Sequence, residues 1–281
     1  MISIIIPTFN AEKELSNLLS DLKKQKIKEK HEIIVIDSSS TDKTLEITKL
    51  YKTRTIIIPK IEFNHGLTRT LGAKKAKGEI LVYLTQDVLI KDKLAIDKLV
   101  KFLKKEKDLA AVYGRQLPKK DADAISSHLR FFNYQKESYK TSLEDKKIEG
   151  LKKIFFSDSF SAYKKKYLQA IGGFNKVETG EDMDVAARLL KKGYKIGYCA
   201  KAEVIHSHNL SLIEEFRRYK KMGRLGKTNP ILNSNKSESL GIIYFLSGCR
   251  YLIKSGKPLQ IPKFIMRCLN KYAAYKIGRF S

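Results

Sequence analysis

Cysteine is scarce: the 281-residue chain holds three, Cys199, Cys249 and Cys268. An odd number without paired spacing argues against a disulfide framework and a closed zinc site, and for a reducing compartment. Long apolar runs are missing as well. No window reaches the roughly 18 residues that a membrane-spanning helix needs. The longest candidate, "LGIIYFLSGCRYLI" (Leu240–Ile253), is too short and contains Arg250. The opening "MISIIIPTFN" lacks a basic leader and a small-residue cleavage site, so it reads as a strand and not a signal peptide. No Gly-x-Gly-x-x-Gly follows it, and no complete Gly-x-x-x-x-Gly-Lys-Ser/Thr loop occurs, which argues against a dinucleotide fold and a P-loop enzyme. Acidic residues are outnumbered 30 to 56, a net charge of +26. The partner should therefore be anionic: nucleic acid, an anionic membrane surface or a phosphorylated small molecule.

The first 110 residues alternate between two patterns. Apolar runs rich in β-branched residues ("ISIIIP", "HEIIVID", "RTIIIP", "EILVYL") read as buried strands. Segments with helical spacing lie between and after them: "EKELSNLLSDLKKQ", "TDKTLEITKLYK" with Thr41 or Asp42 as its cap, "LTRTLGAKKAK" ended by Gly78, and "DKLAIDKLVKFLKKE". This alternation predicts an α/β fold with a parallel sheet covered on both faces. Further on, "AAVYGRQLP" reads as a strand and "AISSHLRFFNYQKES" as an amphipathic helix. A helix is expected from Ala162 to Gly172-Gly173, another at "MDVAARLLKKG", and a strand running to His208.

Sheets of this kind bind ligands outside the carboxyl ends of their strands. The residues of interest are therefore those just after each strand. Asp37 follows "EIIVI" and could accept hydrogen bonds from a base or ribose; Ser40 to Asp42 fit a turn and cap equally well. Asp87 is the one carboxylate at the tip of the strand in "GEILVYLTQDVLI"; it is either the cap of the next helix or part of a divalent cation site completed by diphosphate oxygens. Asn64, His65, Gly66 and Arg69 crowd before a helix, where Arg69 could meet a phosphate or a carboxylate. In "ETGEDMDVAARLL", Gly180 permits close backbone approach to a ligand. Of the acidic residues around it, at least one serves the helix dipole and another could be a general base. His206 and His208, two apart at a strand end, could join a hard-metal site.

Taken in order, "ISIIIPTFN", "IIVIDSSSTDKT", "GEILVYLTQD", "IGGF…GEDMDVAARLLKKGYKI" and "AEVIHSH" resemble the motifs of inverting family-2 glycosyltransferases with the GT-A fold, over roughly residues 1–219. "FNHGLTRTLGA", "TQD", "VYGRQLP" and "HSHNLSLIEEFRRY" are similar to rhamnosyltransferases that use dTDP-L-rhamnose to build surface polysaccharides. The resemblance implies a Rossmann-like, mostly parallel sheet flanked by helices, with a catalytic domain at 1–210 and a basic amphipathic helical extension at 211–281. The nucleotide half would span about 1–110 and the acceptor half about 111–210. It implies that Asp37 recognises the base, that Pro7, Thr8 and Phe9 line its pocket, and that Asn64, His65, Arg69 and Gln86 belong to the donor site. Asp87 would bind Mg²⁺ or Mn²⁺ with His206 or His208, although Thr85 stands where the family's Asp-x-Asp motif has its first acid. Asp182 would be the catalytic base with Glu181 as the alternative, and Arg115 and Gln116 would help hold sugar or acceptor. The implied partners are a dTDP- or UDP-sugar and a saccharide or lipid-linked acceptor, and the implied location is the cytoplasmic face of the membrane.

From Ser211 to Ser281 there are 15 lysines and arginines against three acidic residues. Interleaved with aromatic and apolar side chains, they suit either a packed helical subdomain or a surface that lies on anionic lipid. Three rival readings stand beside the transferase. A nucleotidyltransferase would need a Gly-rich basic loop that "PTFNAEKE" is not, a nucleic-acid-binding α/β protein would need a reader motif, and a non-catalytic paralogue would keep the fold alone.

Overall fold

The first four strands form because their residues suit burial on both faces. In β1 (Ile2–Thr8), Ile2, Ile4, Ile5 and Ile6 are all buried. β2 (His31–Asp37), β3 (Arg54–Ile57) and β4 (Ile80–Leu84) join it in parallel, in the order β3-β2-β1-β4. The coordinates are a computed structural model that describes residues 1–146, 148, 151–228 and 236–281. Between the strands run α1 (Glu12–Lys23), α2 (Thr44–Leu50) and α3 (His65–Lys75). α1 buries Leu15, Leu18, Leu19 and Leu22, a stripe at the three- and four-residue spacing of one helix face. Asp42 accepts from the Thr44 amide and hydroxyl at the start of α2. α3 stops at Lys75, short of the expected Gly78; a side chain at Gly78 would meet Ser3 N at 2.6 Å, so this glycine serves packing against β1.

The second half completes one eight-stranded sheet, β3-β2-β1-β4-β7-β5-β8-β6. α4 (Ala95–Lys104) leads to β5 (Leu109–Leu117), then α5 (Ala124–Asn133) and β6 (Tyr139–Thr141). A short α6 (Leu151–Ile154) precedes β7 (Phe160–Lys164), α7 (Lys165–Ala170), α8 (Glu181–Lys191) and β8 (Lys195–Ile205). β7 runs antiparallel between β4 and β5. This corrects the helix expected from Ala162: residues 162–164 finish a strand, and α7 covers only six residues. The cause is two-sided burial, with Phe160 and Ala162 packed in one layer of the core and Tyr163 in the other. β8 also ends at Ile205, before the histidines expected to lie in it.

Among the described residues three α-helices follow, α9 (Leu212–Thr228), α10 (Lys236–Lys254) and α11 (Ile261–Phe280). Leu225 of α9 belongs to the main core, and buried Glu215 pairs with Arg267 and Lys271 of α11 at 3.4 and 3.3 Å. α9 and α11 cross with their backbones nearly touching, because a side chain at Gly278 would lie 1.9 Å from Lys220 O. α10 packs on α5 through Leu252, Phe264 of α11, Ala124 and Ile125. Among the described residues no helix is long and apolar enough to cross a membrane.

Candidate functional site

The sheet order gathers one rim. The ends of β4, β5 and β8 meet there, and the antiparallel β7 contributes its beginning. A bridge between Leu89 and Ile205 sets the segment after β4 beside the end of β8, and so brings Asp87 to His206 and His208.

Asp87 Oδ2 lies 3.3 Å from His206 Nε2 and 3.5 Å from His208 Nε2, and the two Nε2 atoms are 3.1 Å apart. Lys119 Nζ is 3.6 Å from the same oxygen. Asp87 does not cap the next helix, the alternative reading of its sequence, since α4 starts at Ala95 and Asp92 takes the Leu94 amide. The tautomer of His206 follows from Gln116, whose Oε1 lies 2.8 Å from His206 Nδ1 and also accepts from Arg130. An amide oxygen only accepts, so the His206 proton sits on Nδ1 and Nε2 turns its lone pair toward Asp87. Burial holds the His206 imidazole neutral, and burial with the neighbouring ring pushes His208 down to about 4. Burial works against the Asp87 carboxylate; with both rings neutral, Lys119 is the cation beside it that holds it below the ordinary carboxylate range, and its buried Oδ2 has no hydrogen-bond donor. With the His208 proton on Nδ1 as well, Asp87 Oδ2 and the two Nε2 atoms face one another as three lone-pair donors, a set that fits a divalent cation with positions left for a ligand's oxygens.

A second cluster, of acids, stands next along the rim. Arg69 is buried; its Nε lies 3.3 Å from Asp158 Oδ2 and its Nη1 3.0 Å from Glu181 Oε1. Arg69 thus meets carboxylates and no open phosphate position, and Glu181 is consumed by it. Asp182, next in the chain, stays partly open; its Oδ1 accepts from the Met183 amide and its Oδ2 from the Asp158 amide at 3.3 Å. Burial first, then Glu181 and Asp158, raise Asp182 well above the ordinary carboxylate range. Asp158 was not among the expected site residues. It is buried, receives hydroxyl bonds from Ser161 and Tyr163, and is likewise raised, chiefly by burial. Its sequence signal was a lone acid amid "IFFSDSFSAY", the same kind that marked Asp87. The two clusters connect: Gln116 Nε2 donates to Ser157 Oγ at 2.8 Å, and Ser157 adjoins Asp158.

The other expected residues fall into two groups. Gln86 clamps the peptide of Phe9 from both sides, Oε1 accepting from its amide at 2.9 Å and Nε2 donating to its carbonyl. The Lys60 ammonium stands 4.5 Å from the Phe9 ring, and Pro7 is half-buried beside it. Asp37 is fully buried beneath this loop; its oxygens accept from Thr8 Oγ1, Ser40 Oγ and the Ser40 amide, three of the roughly four lone pairs a carboxylate offers. Asn64 is committed to architecture, capping α3 through the Gly66 and Leu67 amides and donating to Val177 O. His65 opens α3 at the surface, edge-on to Phe63. Arg115 pairs with Glu203 and the Tyr134 carbonyl, leaving Gln116 as the residue that reaches the rim. Gly180 does hold a left-handed φ of 76°, but a side chain there would strike Leu225 at 2.6 Å, so its close neighbour is α9 and not a ligand.

A family model described as Glycosyl transferase family 2 matches residues 3–172. Over 281 residues the chain is 37% identical to the O-antigen chain rhamnosyltransferase WbaN of Salmonella anatum, covering 99% of this chain and 89% of that one. It is also 37% identical over 283 residues to RfbN of Salmonella typhimurium, another O-antigen chain rhamnosyltransferase, with the same shares. The mannosyltransferase PcManGT of Pyrobaculum calidifontis, solved with GDP-Man and Mn²⁺, has a TM-score of 0.71 at 16% identity, covering 99% of this chain and 86% of that chain. TarS of Staphylococcus aureus (residues 1–349) has a TM-score of 0.61 at 16% identity, covering 100% and 90%. At such identities these structures speak for the fold alone, which is GT-A, as expected. Family match and full-length similarity together place the chain in glycosyltransferase family 2.

Proposed function

We propose that this glycosyltransferase moves L-rhamnose from dTDP-L-rhamnose to a hydroxyl of a saccharide or lipid-linked acceptor, with inversion, in surface polysaccharide synthesis. One observation carries the mechanism. Asp182 is the rim carboxylate that no cation neutralises, next to a cluster suited to a diphosphate-bound metal. Similarity along the whole chain to two O-antigen rhamnosyltransferases supports the sugar. Asp182 takes the acceptor proton as the hydroxyl attacks the anomeric carbon, on the face opposite the leaving nucleoside diphosphate. A single displacement needs this one base and no protein nucleophile. Asp87, His206 and His208 would hold the cation, and two imidazoles in the set would favour Mn²⁺ over Mg²⁺. Once bound, the cation offsets the charge that gathers on the departing diphosphate. Lys119 adds a positive charge on the same side. Gln116 orients His206, and the Gln86 clamp shapes the loop of Pro7, Thr8 and Phe9 against the nucleotide. Residues 1–210 form the catalytic unit. Residues 211–281 are the basic helical region that rests on the cytoplasmic face of an anionic membrane, where a lipid-linked acceptor resides.

One calorimetric series tests the assignments. Asp182→Asn should bind dTDP and Mn²⁺ as the native chain does, yet lose transfer by about 10² to 10⁴-fold. His206→Ala should lose roughly 10-fold or more in Mn²⁺ affinity. Near-native turnover in Asp182→Asn removes the base; undiminished Mn²⁺ binding in His206→Ala removes the cation site.

A further inference from the structure

We propose that Asp158 and Arg69 are positioning residues for the base: they fix where Asp182 points and the pH at which it is free to accept a proton. The inference rests on the reading of Asp182 as that base. The geometry is a chain of holds. Ser161 Oγ and Tyr163 Oη, each 2.7 Å from Asp158 Oδ1, pin the Asp158 carboxylate. Asp158 Oδ2 faces Arg69 Nε, Arg69 Nη1 takes Glu181, and the Asp158 amide reaches Asp182 Oδ2. Three carboxylates crowd one guanidinium, which pairs with Asp158 and Glu181 but not with Asp182, in a region where Asp158, Glu181 and Arg69 are all buried. With every acid ionised the group carries two uncompensated negative charges, a costly state in a low-dielectric interior. A proton therefore resides in the group, and the protons come off as a set and not residue by residue. The raised values of both Asp158 and Asp182 agree with this.

Several groups from the packed elements set that field. α8 supplies Glu181, the segment before β7 supplies Asp158, and α3 supplies Arg69. Tyr163 of β7 and Tyr134 after α5 also feel Asp182, while Glu181, with Arg218 and Lys221 of α9, acts on His65, and Arg218 acts on Tyr134 as well. Of these, Asp158 is the negative charge that touches Asp182 through its own backbone and has no place at the rim's surface.

The experiment is the pH dependence of kcat/KM for release of dTDP from dTDP-L-rhamnose, with water as acceptor and Mn²⁺ saturating. Asp158→Asn removes one buried negative charge, so its acid limb should move to lower pH by about one unit. Tyr163→Phe removes a donor from Asp158, which then keeps the shared proton more firmly; its limb should move the same way by less. The KM for the nucleotide-sugar should stay within about twofold, since neither residue meets the donor. An acid limb that stays put in folded Asp158→Asn overturns the proposal; should that variant not fold, an unmoved limb in Tyr163→Phe does so. If Asp182→Asn is inactive while both profiles stay put, only this inference falls. If Asp182→Asn turns over normally, the base reading falls and takes this one with it.

Discussion

At the residue scale, the acid proposed as the base is one the fold holds at a cost. Asp182 is raised in the folded chain, so the native state binds its proton more tightly than the unfolded chain does. Its contribution to stability is therefore complete below the ordinary carboxylate value and is lost as pH rises through the raised one. Asp182→Asn should melt with the native chain near about pH 4 and be about 1 to 3 kcal/mol more stable near about pH 9. Thermal melts at both values check this; a variant no more stable at high pH speaks against a strained base. Asp87 differs: burial works against its charge too, but Lys119 stands beside it and the carboxyl is held below the ordinary range. Asp87, His206 and His208 could be picked out of the sequence as polar residues ending strand-like runs, and the fold brings all three together. Asp158 could not. It precedes a strand, and only a reversed strand presents its beginning at the rim where parallel strands end.

Among the elements, those with one dominant signal were legible. The β-branched runs of β1, β2 and β4 and the leucine stripe of α1 leave little choice of structure. β7 was misread because "SAYKKKYLQAI" joins a strand to a helix without a breaker, and its lysines mimic a solvated helix face. Asn64, Arg69 and Glu181 looked like ligand groups because spacing cannot reveal which polar side chains satisfy one another. The α9–α11 crossing was equally hidden, since it depends on Gly223 and Gly278 facing the opposite backbone. Gly278→Ala should cost about 1 to 3 kcal/mol by forcing the helices apart. Gly241→Ala in α10, where a side chain meets nothing within 4 Å, should gain about 0.5 to 1 kcal/mol from helix propensity. Denaturant midpoints of the two variants should move in opposite directions, and movement in one direction removes the packing account.

For the whole molecule, the large positive charge and the apolar crest of its last helices belong together. Leu246 and Leu259 are 61% and 93% exposed, with Ile242, Ile253 and Leu269 also on the surface. Arg250, Lys254, Lys257 and Lys263 are interleaved with them and exposed. This combination fits an anionic bilayer better than a protein partner, each basic residue near such a surface being worth about 1 kcal/mol. The chain should pellet with phosphatidylglycerol vesicles and not with neutral ones, and lose about tenfold in affinity when salt shortens the Debye length. Leu246→Asp with Leu259→Asp should abolish pelleting while leaving dTDP binding intact; equal sedimentation of that double variant discards the surface.

The reversed central strand also has a bearing on synthesis. As the chain leaves the ribosome, β1 to β4 emerge first, yet the outer edge of β4 has no partner until residues 160–164 follow. All five residues of β4 are buried in the finished protein. For some eighty residues of translation that edge is bare, a template for pairing with other nascent chains. Residues 1–110 are thus unfit to stand as a free fragment, and chaperone occupancy should be densest in that interval.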